Sequence, residues 1–217
     1  MTRTVAAIWR YPIKSLAGQA IESAELTELG IPGDRTVHVR GPEGLRTSRR
    51  HHRLLGLHGT LDAHGLPLIE GHPWDSPAAL ALVQDASGDD SSLSPFDGPE
   101  RFDILPLLVA TDGAVAAFGR DVRRLRPNIL IAGVDGMDEV TWPGAELHIG
   151  EAVIRLDSLR PRCPMTTVDP DTLERDPEVL RDIARRFRGR LALNSAVAHP
   201  GLIRVGDAVR LVHPNRG

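Results

Sequence analysis

Cysteine occurs once in the 217-residue chain, at Cys163, and so does lysine, at Lys14, the other 25 Lys and Arg side chains being arginine. Cys163 lies in SLRPRCPMTTVDPDT, where Pro161 and Pro164 hold the backbone extended. Arg160 and Arg162 stand just before it, and nearby positive charge favours a thiolate. Cys163 is thus a candidate for a reactive or metal-binding sulfur, the alternative being a small buried hydrophobe. One thiolate cannot build a protein metal site, which takes three or four ligands. It can supply the single protein ligand to a metal already held by an organic cofactor. A Cys–His nucleophile would need one of the nine histidines nearby, and none has a recognised protease spacing.

Lys14 stands in WRYPIKSLAG; either a compact ammonium is required there, where a planar guanidinium is not tolerated, or its survival is chance. The turns Gly33-Asp34-Arg35 and Arg126-Pro127-Asn128 each project an arginine and a short polar group, and arginine forks suit phosphate and carboxylate. In TTVDPDT, residues Thr166, Thr167, Asp169 and Asp171 can cap, close an Asx turn or contact a ligand. Charge is unevenly spread. Arg35, Arg40, Arg46, Arg49, Arg50 and Arg53 crowd a short stretch with His51 and His52, whereas residues 54–100 carry no Lys or Arg and eight acids. Two solvated faces of opposite sign, or an arginine-lined pocket for an anion, both follow from that pattern.

A net charge of −3 argues against general nucleic-acid binding. One cysteine excludes an internal disulfide or a Cys-rich cluster. No apolar run approaches the ~20 residues of a membrane span, and the N-terminus lacks a signal-peptide core, so the expectation is a soluble, cytoplasmic protein.

The elements that must position these residues read as mostly β. TVAAIWR, IESAELTEL, RTVHVR, LHGTLDA, ILIAG, AVIRLDS and LIRVGDAVRLV are short apolar or alternating runs, and their spacing predicts a β-barrel. Gly206-Asp207 predicts a hairpin or a bulged strand. Two helices are predicted, one from Thr111 toward Leu125 with Gly119 interrupting it, the other capped by Asp176 with Pro177 first and Gly189 as its stop. Arg181, Arg185, Arg186 and Arg188 mostly face outward from the second. DASGDDSSLSPFDGPE, residues 85–100, has the composition of an exposed linker and divides the chain into domains over 1–88 and 96–214.

YPIKS (Tyr11 to Ser15), GDR (Gly33 to Arg35), TSR (Thr47 to Arg49), RPN (Arg126 to Asn128), RCPMTTVDPDT (Arg162 to Thr172) and PGLIRVGDAVRL (Pro200 to Leu211) occur in that order. In this the sequence resembles MOSC-domain proteins with a MOSC N-terminal β-barrel domain, the architecture of the mitochondrial amidoxime-reducing component and its bacterial relatives. The resemblance implies an α+β, mostly β fold, with an N-terminal MOSC β-barrel domain and a C-terminal MOSC β-barrel carrying a few helices. It implies a molybdenum cofactor, with Cys163 as thiolate ligand to Mo. Lys14, Ser15 and Arg35 would contact pterin and phosphate, with Arg126 beside them and Arg162 preceding the ligand. Thr111 and Asp112 match the start of the family's helix, whose N–H groups can receive an anion. Asn128 and Asp169 would position substrate or ligand water as catalytic residues.

The implied chemistry is two-electron reduction of a small N-hydroxylated substrate, the cofactor doing the bond chemistry. Electrons would come from a separate ferredoxin, flavodoxin or cytochrome-type protein, with no nucleic acid or membrane involved. A second reading is a cofactor carrier or sulfur-transfer protein. Pyridoxal phosphate chemistry would need a Schiff-base lysine, and Lys14, the sole candidate, sits in a motif better explained by phosphate contact. The chain departs from the resemblance in being shorter, in Asn194 where an aromatic is common, and in Leu173 where glycine follows TTVDPDT.

Overall fold

The computed structural model describes residues 2–96 and 98–213. Seven strands form a barrel: β1 (Arg3–Arg10), β2 (Leu107–Thr111), β3 (Ile129–Ala132), β4 (Glu146–Ile149), β5 (Ala152–Pro161), β6 (Arg190–His199) and β7 (Ala208–Val212). They run β3-β2-β6-β5-β4-β7-β1, and β1 returns to pair with β3, which closes the sheet. The fold is therefore mostly β, as expected. Only β2 and β3 are parallel within the barrel, a pairing that requires a crossover; helix α2 (Asp112–Phe118) lies in it.

Alternation sets the barrel interior. Leu147 and Ile149 of β4 and Ala152, Ile154 and Leu156 of β5 are fully buried, and they join Val5, Ile8, Val109, Ile129, Ile131 and Leu193 in one core. Burying each large aliphatic side chain stabilises by about 1.5–3 kcal/mol.

Between β1 and β2 the chain builds a second layer around Ile13, Leu16, Val37, Val39, Leu54, Ile69, Ala79 and Val83. The strand Val37–Gly41 pairs with Ser92–Pro95, and Gly59–Leu61, Pro67–Ile69 and His72–Pro73 form another small sheet. Helix α1 (Pro77–Ser87) covers them, its start fixed by Ser76, whose Oγ accepts from the Ala79 N–H at 3.2 Å. This helix was not among those expected. The segment 85–100 also departs from its linker composition, because Asp85 to Ser87 end α1 and Ser92–Pro95 form a paired strand.

The remaining elements refine the expectations. Gly119, at φ 68°, terminates α2 at Phe118, and Val122–Arg124 is a separate 3-10 turn. Helix α3 (Pro177–Phe187) starts under Asp176, which accepts from the Glu178 N–H at 3.0 Å; the left-handed stop is Arg188, ahead of Gly189. Gly206-Asp207 joins no hairpin. Gly201–Arg204 pairs with Ser23–Leu26 while β7 pairs with β4 and β1, and the Asp207 carboxylate accepting the Arg204 N–H at 2.7 Å turns the corner between sheets. No helix among the described residues is long and apolar enough to cross a membrane.

Candidate functional site

A cleft with roughly 770 Å³ of empty space, its open mouth included, separates one end of the barrel from the second layer. Both chain halves line it. Lys14 and Ser15 follow β1, Arg35 and Arg49 come from the second layer, Asp103 precedes β2, Arg126 and Asn128 precede β3, Arg160 and Arg162 flank the end of β5, and Cys163 follows.

The local backbone is held in a form that sequence does not advertise. Ser15 (φ 75°), Arg35 (φ 56°) and Arg126 (φ 54°) are all left-handed, although none is glycine. Such residues carry strain of order 1–3 kcal/mol each and persist where the surroundings over-determine them. The surroundings here are explicit. The Arg35 N–H donates to the Tyr11 carbonyl at 2.7 Å, and the Lys14 N–H to the Val37 carbonyl at 2.9 Å. Buried Asp34 accepts from the Tyr11 N–H at 2.7 Å and from Asn128 Nδ2 at 3.4 Å, and it pairs with Arg35.

Tyr11 is the pivot of this corner. Its hydroxyl donates to the Pro127 carbonyl at 2.9 Å, and its ring centroid lies 5.1 Å from the Arg35 guanidinium and 4.3 Å from that of Arg126. Burial pushes the phenol up to about 12, so it stays a neutral donor. Burial lowers both Arg126 and Arg162 to about 10, which leaves them cationic at neutral pH. Arg162 donates to the Leu125 carbonyl at 2.7 Å, while its buried Nε has no partner among the described residues.

Cys163 is partly exposed and extended, just beyond β5. The Arg162 N–H is tied to the Gly189 carbonyl at 2.9 Å, and the Cys163 carbonyl accepts from the Thr166 N–H and hydroxyl at 3.0 and 2.8 Å. Across the cleft, Lys14 Nζ donates to the Arg101 carbonyl at 2.7 Å and to Asp103 Oδ1 at 2.8 Å. Asp103 Oδ2 accepts from Arg49 and Arg160, each at 3.0 Å. Burial opposes ionisation of Asp103, but Lys14, Arg49 and Arg160 together hold it below the usual carboxylate range. Among the described residues Asp103 is the one carboxylate lining the cleft, against Lys14 and six arginines, Arg124 among them.

Cys163, Lys14, Ser15, Arg35, Arg126, Arg162 and Asn128 therefore share one cleft. Asn128 is buried with its amide already engaged, Oδ1 accepting from the Leu108 N–H and Nδ2 donating to the Trp9 carbonyl. Thr111, Asp112 and Asp169 do not line it. Thr111 Oγ1 caps the Ala114 N–H and donates to buried Glu139 at 2.8 Å. The Asp112 carboxylate itself accepts the N–H groups of Gly113, Gly133 and Val134 at that helix start. Asp169 closes an Asx turn on Asp171 and Thr172 and pairs with Arg124 at 2.7 Å, so it touches the cleft only through that arginine.

The basic block divides between both of its readings. Arg35 and Arg49 line the cleft, whereas Arg46 pairs with Asp90 and Arg53 with Asp85, joining basic stretch to acidic stretch. Asp103 escaped the sequence analysis, because one aspartate after an acid-rich stretch carries no distinguishing signal.

Comparison with known proteins agrees with this architecture. Residues 2–92 match the MOSC N-terminal beta barrel domain and residues 113–210 the MOSC domain, so the chain belongs to the MOSC-domain proteins that carry both. It is similar to mitochondrial amidoxime-reducing component 1 of Homo sapiens, at 26% identity over 96% of this chain and 83% of that protein. The Mus musculus protein of the same name is 27% identical over 96% and 82%. A molybdenum cofactor sulfurase 2 of Culex quinquefasciatus matches at 32%, over 42% of this chain and 12% of its own. Among solved structures, the YUAD protein from Bacillus subtilis has the same fold, with a TM-score of 0.56 at 14% identity over 99% and 98% of the two chains.

Proposed function

We propose that this chain holds a molybdenum cofactor in the cleft and reduces small N-hydroxylated compounds. The observation that carries the proposal is a single partly exposed thiol that shares its cleft with the cations Lys14, Arg35, Arg126 and Arg162. Those residues fit the group. A soft thiolate suits the metal and arginine forks suit a phosphate, and the buried, unpartnered Nε of Arg162 is a donor awaiting an acceptor beside Cys163. Relatives named amidoxime-reducing components over most of the chain support the same class.

On this reading Cys163 Sγ holds the metal, Lys14, Ser15 and Arg35 hold the phosphate, and Arg126 and Arg162 flank the pterin. When bound, the cofactor supplies two-electron reduction of an N–O bond. Conversion of R–NHOH to R–NH2 and water takes two electrons and two protons, and we assign the supply of the electrons to a separate ferredoxin, flavodoxin or cytochrome-type donor. Tyr11, neutral and pinned to Pro127, keeps Arg35 and Arg126 apart and oriented. Asn128 and Asp169 act as positioning residues, the first through Asp34 and the strand ends, the second through Arg124. Residues 1–88 and 96–214 form the two domains, with β1 lent by the first to the barrel of the second.

The test is metal and pterin content of wild type and Cys163→Ala made in a cofactor-competent host, followed by amidoxime reduction with an artificial electron donor. We expect loaded, active wild type and a variant without molybdenum. A wild type that stays metal-free where a relative loads, or a variant that keeps full molybdenum, overturns the assignment of Cys163. Loaded protein without turnover on any N-hydroxylated compound identifies a carrier instead.

A further inference from the structure

One negative charge is divided among three cations at the cleft wall. Asp103 gives one oxygen to Lys14 and the other to Arg49 and Arg160. Cations in a half-buried site without matching anions are costly, and the surplus is relieved by an anionic ligand. Lys14 belongs by its motif with the phosphate contacts. Arg49 and Arg160, on the opposite oxygen, are left for a different partner.

Arg160 is built for recognition. It ends three residues before Cys163, its side chain is 19% exposed, and its two ends are held by Asp103 and by Asn194 Oδ1 at 3.1 Å. Asn194 is fixed in turn by donating to Ser158 Oγ at 3.2 Å. Arg49, at 47% exposure, stands nearer solvent. The Asp103 carboxylate already demonstrates the geometry, one oxygen received by both guanidiniums at 3.0 Å.

We propose that Arg160, with Arg49 beside it, is a carboxylate-recognition subsite, so that the compound reduced in this cleft carries a carboxylate as well as its N-hydroxyl group. This rests on the reductase reading above and names its substrate class. Asn194 and Asp103 are positioning residues that hold the Arg160 plane toward the cleft.

The experiment compares benzamidoxime with 4-carboxybenzamidoxime on cofactor-loaded wild type, Arg160→Gln and Arg160→Lys, by steady-state kinetics and by isothermal titration. Wild type should show a KM at least about 10-fold lower for the carboxylate, with the advantage shrinking as salt is raised. Arg160→Gln should raise the carboxylate KM about 10- to 100-fold more than the neutral one while molybdenum and pterin content are retained, and Arg160→Lys should recover part of the difference. Equal KM values in wild type, an equal rise in both, or loss of cofactor from Arg160→Gln overturns the subsite. If loaded wild type turns over neither compound, the reductase reading falls. Titration then still decides the subsite, since carboxylate binding that Arg160→Gln abolishes supports it and absence of binding ends it.

Discussion

Lys14 sits at 7% exposure with its ammonium between the Arg101 carbonyl and Asp103, a pocket cut for a compact cation. Burial lowers its proton affinity and Asp103 opposes that. Lys14→Arg keeps the charge but not the shape, and we expect it to reduce cofactor retention several-fold, read as molybdenum per chain. Unchanged loading would make the lone lysine a compositional accident. A second residue-scale expectation concerns His38, which is buried against Phe96 and lowered by desolvation to about 4 from 6.5. Between those pH values the unfolded chain binds the extra proton, so stability falls as pH drops from about 6.5 to about 4, by up to about 3 kcal/mol. Urea unfolding across that range should show the slope, and His38→Leu should flatten it. Cys163 and Lys14 stood out in the sequence by rarity, and Arg35 and Arg126 by motif. The left-handed backbone at Ser15, Arg35 and Arg126 did not, because serine and arginine do not signal positive φ.

At the scale of elements, Glu139 fastens helix to barrel. Fully buried, it accepts from Thr111 Oγ1 and from the Ala192 N–H, both at 2.8 Å, so the start of α2 and the strand β6 share one carboxyl. Burial pushes that carboxyl up. Glu139→Ala leaves both donors without an acceptor and should cost about 2–4 kcal/mol in denaturant unfolding, whereas Glu139→Gln, which keeps one acceptor, should cost clearly less. Helix α3 was legible because its cap, first proline and apolar stripe agree. Helix α1 was not, because it exposes no charged face and its Ala and Leu residues give a weak period; the serine-proline start was its available signal. Gly206-Asp207 announced a bend without saying which strands it separates, since local turn chemistry does not encode distant partners.

At the scale of the whole molecule, β1 lies between β3 and β7, with Thr4 opposite Ala132 on one side and Ala208 on the other. Residues 96–217 expressed alone lack a stave of the barrel, and we expect them to be unfolded or aggregated by circular dichroism and NMR, with folding restored by co-expression of residues 1–95. A folded, monomeric 96–217 would show that the barrel tolerates the gap. The number and shortness of the strands were readable from alternation, but their order was not, since it depends on pairings more than a hundred residues apart.

That interleaving also sets a timetable. Of the barrel strands β1 is made before the others and has to wait for β3 and β7 before both of its edges are covered, so it keeps an open edge while the residues between them are synthesised. The cleft inherits the same delay, because Lys14 and Cys163 meet only when both ends have folded together. A ligand that both residues hold is therefore bound only by a chain whose barrel has already closed.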